Sequence, residues 1–235
     1  MRVTLQPLAV AAEAHLALPG SERTLWSRRL AWTCRDAALK VQILAAEPID
    51  LPAPEPSEPA PSALARLVAA VRGQRALLVL LNPATALGAE RIALAEGVRL
   101  FAISDERDLL CWDRALTIGL PVYGVRGTLA CDLLKPTPEN VLAALGFGAF
   151  SCEDGLTPIE LVEDPYGVRW RLAESGEAAI IVRGGFEAQR LRGFAGEWRD
   201  SGGEGYVRIE LTTAHGRCWT QPRFIAPRRS GGHGR

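Results

Sequence analysis

Apolar runs and amphipathic runs alternate regularly through the middle of the chain. Residues 76–81, 98–103 and 121–125 are apolar nearly throughout, which is typical of strands that are buried on both faces. Helical spacing, caps and terminal glycines predict a helix in each of the segments 63–72, 85–96, 106–118 and 137–145. Helices that alternate with buried strands predict an α/β fold whose parallel sheet is covered on both faces or closed as a barrel.

The segments before this region have a different character. Leu25, Trp26, Leu30 and Cys34 fall near helical spacing, so residues 21–39 are predicted to form a helix, followed by a strand over 40–47. Residues 48–62 then contain six prolines in fifteen positions. Neither a helix nor a central strand tolerates that density, and an extended surface loop or linker is expected.

After Gly148 the pattern becomes that of short strands separated by turns. Strands are predicted at 159–162, 168–172, 178–182 and 206–211, with turns at DPYG, ESGE and SGGEG. We therefore expect an α/β domain over 1–150, an antiparallel β domain over 151–226 and a disordered tail over 227–235.

Composition narrows the class of function. The chain has 235 residues, with Lys+Arg and Asp+Glu both 27, and a neutral chain attracts neither nucleic acid nor a membrane surface at long range. No apolar run approaches the roughly 20 residues that span a bilayer, and Thr4 and Gln6 interrupt the N-terminal apolar stretch, which argues against a signal peptide. Five cysteines without CxxC spacing indicate reduced thiols and a cytoplasmic location.

Candidate chemistry is sparse. There are three histidines, and the usual phosphate-loop, dinucleotide, GxSxG, HExxH and EF-hand patterns are absent from the sequence. The acidic cluster at 104–108 is best explained as a helix cap, with Ser104 or Asp105 as the capping residue. Cys111 and Cys131 are more typical of buried thiols than of nucleophiles, and Trp112 and Trp219 have core-facing spacing.

One stretch resembles a known family. SDERDLLCWDRALTIGLPVYGVRGTLACD, followed by TPENVLAALGFGAFSCEDG, resembles a late segment of the PHP (polymerase and histidinol phosphatase) family of metal-dependent phosphoesterases. LVLLNPA resembles that family's strand ending in Ala-His-Pro, and GYVRIELTTAHGRCWTQPRFI is similar to the β tail of many bacterial members. The resemblance covers about residues 76–226 and implies a distorted (β/α)7-like, TIM-barrel-like PHP barrel, complete or incomplete, with a C-terminal antiparallel β appendage.

The resemblance also implies that most metal ligands are lost. Where the family has a metal-binding histidine after the strand, this chain has Asn82, and its closing Asp-Ala-His corresponds to Leu129-Ala130-Cys131. At best His15 and Glu47 survive. The candidate cleft-lining residues are therefore His15, Glu47, Asn82, Cys131 and Asp132, with no catalytic residue and no metal ligand assigned among them.

Three functions remain open from the sequence. The first is a degenerate PHP-like module, without multi-metal phosphoesterase activity and without a cofactor, that binds an unknown small ligand or a protein. The second is a metal-dependent phosphoesterase or hydrolase with a rebuilt site, in which His15, Glu47, Asp132 and Cys131 hold a single divalent ion such as Mn²⁺ or Zn²⁺. That hypothesis requires His15 to point away from solvent. The third is a structural or regulatory subunit that uses the Pro-rich loop as a partner-binding segment. The oligomeric state is left open.

Overall fold

The computed structural model describes residues 1–5, 13–18, 21–164 and 166–225. About 44% of these residues lie in strands and 21% in helices, so the chain is mostly β. It divides into two compact units, residues 1–154 and 155–235. The predicted tail at 227–235 lies outside the described residues.

The described residues of the first unit form nine strands and four α-helices. Its strands are β1 (Arg2–Leu5), β2 (Glu13–Ala17), β3 (Thr24–Thr33), β4 (Ala38–Ala45), β5 (Ala76–Leu80), β6 (Leu100–Ala102), β7 (Tyr123–Val125), β8 (Thr128–Asp132) and β9 (Ser151–Asp154). Its helices are α1 (Ala60–Arg72), α2 (Pro83–Ala86), α3 (Glu106–Thr117) and α4 (Pro138–Phe147), with a 3-10 turn at Ile92–Ala95.

A six-stranded mixed sheet forms the centre of this unit. Its order is β2-β3-β4-β5-β6-β7, antiparallel from β2 to β5 and parallel only from β5 to β7. Helix α1 packs on β4 and β5 through a buried stripe of Leu64, Leu67, Val68 and Val71. A separate antiparallel set, β1-β8-β9, completes the unit.

In the described part of the second unit, all of the strands pair antiparallel. Its strands are β10 (Glu160–Asp164), β11 (Gly167–Val182), β12 (Phe186–Arg199), β13 (Tyr206–Thr212), β14 (Arg217–Trp219) and β15 (Arg223–Phe224). Strand β11 pairs with β12 on one side and with β10 and β13 on the other. Inward side chains of these strands form one core, including Trp170, Ile180, Ile209 and Leu211.

This architecture overturns the PHP assignment. A (β/α)7-like or TIM-barrel-like fold needs parallel strands throughout, whereas only β5, β6 and β7 run parallel here. Helix α1 connects β4 to β5, but it is not a crossover between parallel strands, because these two strands pair antiparallel. The segment that resembles that family does not form its barrel, so the inferences about family and fold class were wrong.

The N-terminal helix prediction was also wrong. Residues 24–33 and 38–45 form an antiparallel hairpin, with Trp26 opposite Ala45 and Thr33 opposite Ala38. Leu25, Trp26 and Ser27 are all buried in succession, so this part of β3 is covered on both faces. A strand covered on both faces shows no alternation, and its apolar spacing can match that of a helix.

Helix α1 begins earlier than predicted, ends at the predicted residue, Arg72, and has a different conformation at the glycine that follows. It starts at Ala60 instead of after Ser62, and its first amide donates to Asp36 Oδ1 at 2.7 Å. Gly73 follows the helix with an ordinary φ of −71° and does not supply the expected left-handed residue. That conformation occurs two residues later, at Arg75, whose φ is 51°.

In the second unit the predicted ESGE turn does not reverse the chain. Strand β11 continues through it, with a register irregularity between Arg171 and Gly176. The long partner strand, Phe186–Arg199, was missed because most of its side chains are exposed on both faces. In the part of the chain that the structure describes, no helix is long and apolar enough to cross a membrane.

Candidate functional site

A cavity of about 860 Å³ opens in the first unit at one end of the six-stranded sheet. It lies where β4 ends and where β5 and β6 begin, with α4 along one side. This is the amino end of the three parallel strands. The predicted site, near Asn82, lies at their carboxyl end, where α/β proteins usually bind ligands.

The walls are mostly apolar, with a few polar side chains among them. Four larger apolar side chains, Ile49, Leu77, Leu142 and Phe147, line the cavity, together with small residues of α4. The polar lining consists of Glu47, Gln74, Arg75, Arg99 and Glu139.

Gln74 fixes the segment that follows β4 against the segment that follows α1. Its Oε1 accepts from the amide of Asp50 at 3.1 Å, and its Nε2 donates to the carbonyl of the same residue at 2.8 Å. Both hydrogen bonds go to backbone, so the clamp depends little on the loop's own side chains. It holds Glu47 and Ile49 beside Arg75 and Leu77, and two walls of the cavity are thereby set relative to each other.

Side-chain hydrogen bonds also fix the rest of the Pro-rich loop, residues 48–62. Arg66 donates to Ala53 O at 2.9 Å and to Glu58 Oε2 at 2.6 Å, and its guanidinium lies 5.6 Å from the ring centre of Trp32. A partner that used this loop would therefore meet a segment whose backbone is already hydrogen bonded at several points.

Two arginines line the cavity directly before neighbouring parallel strands. Arg75 precedes β5 and Arg99 precedes β6, and both side chains are exposed. Arg99 donates to the carbonyl of Pro121 at 3.4 Å. Among the described residues, no carboxylate lies within ion-pair distance of either guanidinium.

Arg75 has an unusual backbone. It is the one non-glycine residue with positive φ in the part of the chain that the structure describes. The left-handed region costs an L residue about 1–2 kcal/mol, and glycine is the usual choice there. Strained backbone of this kind is found most often at functional positions.

The two glutamates that line the cavity differ in whether an arginine is paired with their carboxylate. Glu139 forms a two-bond ion pair with Arg23, at 2.6 and 3.0 Å. Hydrogen bonds from its own amide and from Arg23 hold the pKa of Glu139 below its usual value. Its charge is therefore neutralised from outside the cavity, whereas Glu47 is exposed and has no such partner among the described residues.

Asn82 lies at the other end of β5, away from this cavity. Its Oδ1 accepts from the amide of Lys40 at 3.1 Å, and its Nδ2 donates to the carbonyl of Ala38 at 3.1 Å. The side-chain amide therefore bonds to the neighbouring strand β4. It thus continues the β4–β5 pairing beyond the last residue of β5.

Replacing Asn82 by alanine is expected to lower the free energy of unfolding by about 1–2 kcal/mol, because two backbone groups of β4 lose their partner. Urea unfolding of the purified protein measures this. Asn82→Asp is the matched variant: it keeps the acceptor for Lys40 N and places a second oxygen against Ala38 O. It should be no more stable than Asn82→Ala, and wild-type stability in either variant would contradict the structural role.

The other candidate residues are dispersed. His15 is exposed on the outer strand β2, with its Nδ1 3.3 Å from Thr24 Oγ1. Cys131 is 3% exposed on β8, and burial raises the pKa of its thiol to about 11. Asp132, next to it, is exposed and has Arg2 at 3.8 Å. Of the five predicted cleft-lining residues, Glu47 alone is among those that line this cavity.

Other chemistry proposed from the sequence can be placed as well. Asp105 caps α3 through the amides of Arg107 and Asp108, at 2.9 and 3.0 Å, as predicted. Cys111, Trp112 and Trp219 are buried, as expected for core residues. In the described ranges, no three His, Cys, Asp or Glu side chains are grouped so that they could hold a metal ion.

Arg75 and Arg99 were not predicted from the sequence. A signal was present: an arginine stands directly before each of two buried strands, in QR-ALLVL and VR-LFA. It lies at the amino ends of the strands, whereas ligands of α/β proteins usually bind at the carboxyl ends. The chain was compared with protein-family models, with curated proteins and with solved structures, and none of these comparisons found a match.

Proposed function

We propose that this protein is a binding module that takes a small amphipathic molecule into the cavity at the amino ends of β5 and β6. The observation that carries the proposal is the cavity itself, of about 860 Å³ and lined by apolar side chains with a few polar groups. Small-molecule sites typically measure about 300–1,000 Å³ and have this mixture of lining.

The positions of the other candidates support binding over hydrolysis. A rebuilt single-metal site would need His15, Glu47, Cys131 and Asp132 to converge. His15 is exposed on β2, while Cys131 and Asp132 belong to the β1-β8-β9 set. Cys131 is also buried, and burial raises the pKa of its thiol to about 11, which disfavours the thiolate form that binds metals.

We place this activity in the cytoplasm. All five cysteines are free and buried, and each is unbridged. Reduced thiols persist in a compartment that keeps thiols reduced. The assignment rests on this cysteine usage.

An apolar fluorescent probe tests the proposed function. N-Phenyl-1-naphthylamine, which is uncharged, is expected to bind the folded protein with increased fluorescence, and Ala143→Trp should weaken that binding by about tenfold or more, because an indole then occupies the cavity. Ala143 is exposed on α4 and lines the cavity, so the change leaves the core intact.

Ala69→Trp is the matched control. Ala69 is an exposed alanine on α1 that does not line the cavity, so this variant should bind the probe as the wild type does. Equal binding by all three proteins would place the probe elsewhere, and no binding by the wild type would contradict the proposal directly.

A further inference from the structure

We infer that the ligand carries a carboxylate, which Arg75 and Arg99 bind, and an apolar body that packs on the wall formed by Ile49, Leu77, Leu142 and Phe147. This inference rests on the proposed function and adds the chemical class of the ligand. It is carried by the charge balance of the cavity and by the backbone of Arg75.

The charge balance favours an anion. The cavity is lined by two arginines and two glutamates, and one of the glutamates, Glu139, is already neutralised by Arg23. Arg75 and Arg99 then face Glu47 alone, which leaves the lining with one excess positive charge. A guanidinium matches a carboxylate in geometry, and such charge-assisted hydrogen bonds are among the strongest in proteins.

The position of the two arginines is fixed by the sheet. Strands β5 and β6 pair in parallel, with Val79 level with Leu100, so Arg99 is level with Leu78 and Arg75 lies three residues further towards the amino end; both line the cavity. Ala45 stands opposite Ala76 in the neighbouring pair, which brings the segment containing Glu47 to that edge too. All three charges therefore belong to one end of the sheet.

The backbone of Arg75 gives an independent indication. A glycine would adopt φ of 51° at lower cost, yet the chain has an arginine there. The residue before it, Gln74, clamps Asp50, so the strained turn is held from both sides. A cationic side chain kept at a position that disfavours it points to a role for the cation.

Glu47 indicates a further group that the expected ligand would carry, a hydrogen-bond donor. It is the one lining carboxylate without an ion pair among the described residues, and it stands in the segment next to Arg75. It repels a simple carboxylate and would accept a hydrogen bond from a ligand hydroxyl or ammonium group. Removing its charge should therefore strengthen the binding of an anion that lacks such a donor.

Calorimetric titration with three octyl compounds tests the inference. Octanoate should bind about tenfold or more tightly than octanol or octylammonium, which share its apolar chain. Arg75→Gly and Arg99→Gln should each weaken octanoate binding by about tenfold, while Glu47→Gln strengthens it severalfold. Arg28→Gln is the control, since Arg28 is an exposed arginine of β3 that does not line the cavity.

Arg75→Gly separates binding from folding. Because glycine relieves the left-handed strain, its thermal unfolding midpoint should not fall below that of the wild type, even though octanoate binding is weakened about tenfold. A lower midpoint would identify Arg75 as a structural residue and overturn the inference.

The remaining outcomes distinguish the two proposals. If octanol binds as well as octanoate and Ala143→Trp abolishes both, the cavity binds ligands and the carboxylate assignment is wrong. The assignment is equally overturned if none of the octyl compounds binds while the fluorescent probe does. If the probe also fails to bind, the proposed function itself is contradicted.

Discussion

Replacing Trp26 by alanine is expected to lower the free energy of unfolding by about 3–5 kcal/mol, the range for large aromatic side chains removed from a core. Trp26 is 1% exposed and lies in β3, between His15 of β2 and Ala45 of β4. Its Nε1 also donates to Glu13 Oε1 at 2.9 Å, which attaches β2 to the sheet.

Trp26→Phe separates these two contributions. It retains an aromatic ring and loses the hydrogen bond to Glu13, so a smaller loss of about 1–2 kcal/mol is expected. Urea unfolding followed by circular dichroism and by the reactivity of the buried thiols measures both variants. A loss below about 1 kcal/mol in Trp26→Ala would show that this strand is not part of the core.

The same tryptophan shows why sequence patterns failed in this region. Leu25, Trp26, Leu30 and Cys34 match one face of a helix, yet the segment pairs with β4 over eight residues in a single register. What decides between the two structures is the availability of β4 as a partner, which is a property of distant residues. The local spacing of apolar residues in β3 does not depend on β4 and therefore cannot predict the pairing.

Two helix starts and one buried strand, which depend on neighbouring residues, were predicted correctly. The Asp105 cap of α3 and the Thr137-Pro138 start of α4 were confirmed, with Thr137 Oγ1 accepting from Asn140 N at 3.3 Å. The strand at 76–81 was confirmed as β5. These signals come from residues within one helical turn, or one short apolar run, of the structure that they predict.

The direction of the strands and the position of the cavity could not be predicted from such local signals. A helix between two buried strands favours a parallel pair, and this held for β5, β6 and β7 but not for β4 and β5. The cavity draws on segments 46–49, 74–77 and 139–147, with Arg99. The order of the strands in the sheet brings these segments together. Because the predicted fold class was wrong, the site was expected at the opposite edge of the sheet, at Asn82 and not at Arg75.

Glu204 is expected to make the second unit sensitive to acid. Its Oε1 accepts from the amide and the hydroxyl of Ser201, both at 2.6 Å, and its Oε2 accepts from the amides of Gly202 and Gly203, both at 2.8 Å. Partial burial alone would raise the pKa of Glu204, but the donors of Ser201 and of the turn backbone outweigh it and lower the pKa from 4.5 to about 2.

The direction of the pH dependence follows from that shift. Because the folded pKa lies below the unfolded value, the ionised carboxylate stabilises the fold above about pH 4.5, and this contribution is lost as the pH falls towards about 2. Allowing for solvent screening at a partly exposed turn, we expect it to amount to about 2 kcal/mol.

Glu204→Gln should therefore lower the free energy of unfolding by about 2 kcal/mol near neutral pH, since an amide nitrogen cannot accept from the turn amides. Its unfolding curve should also change less than that of the wild type between about pH 4.5 and about pH 2. Urea unfolding at a series of pH values, followed by circular dichroism, measures both effects. Glu160→Gln is the control, because that side chain has only Arg171 at 3.7 Å, and a loss below about 0.5 kcal/mol is expected. If Glu204→Gln and wild type keep a constant difference in stability over the whole series, the turn is held by its backbone geometry and not by the carboxylate.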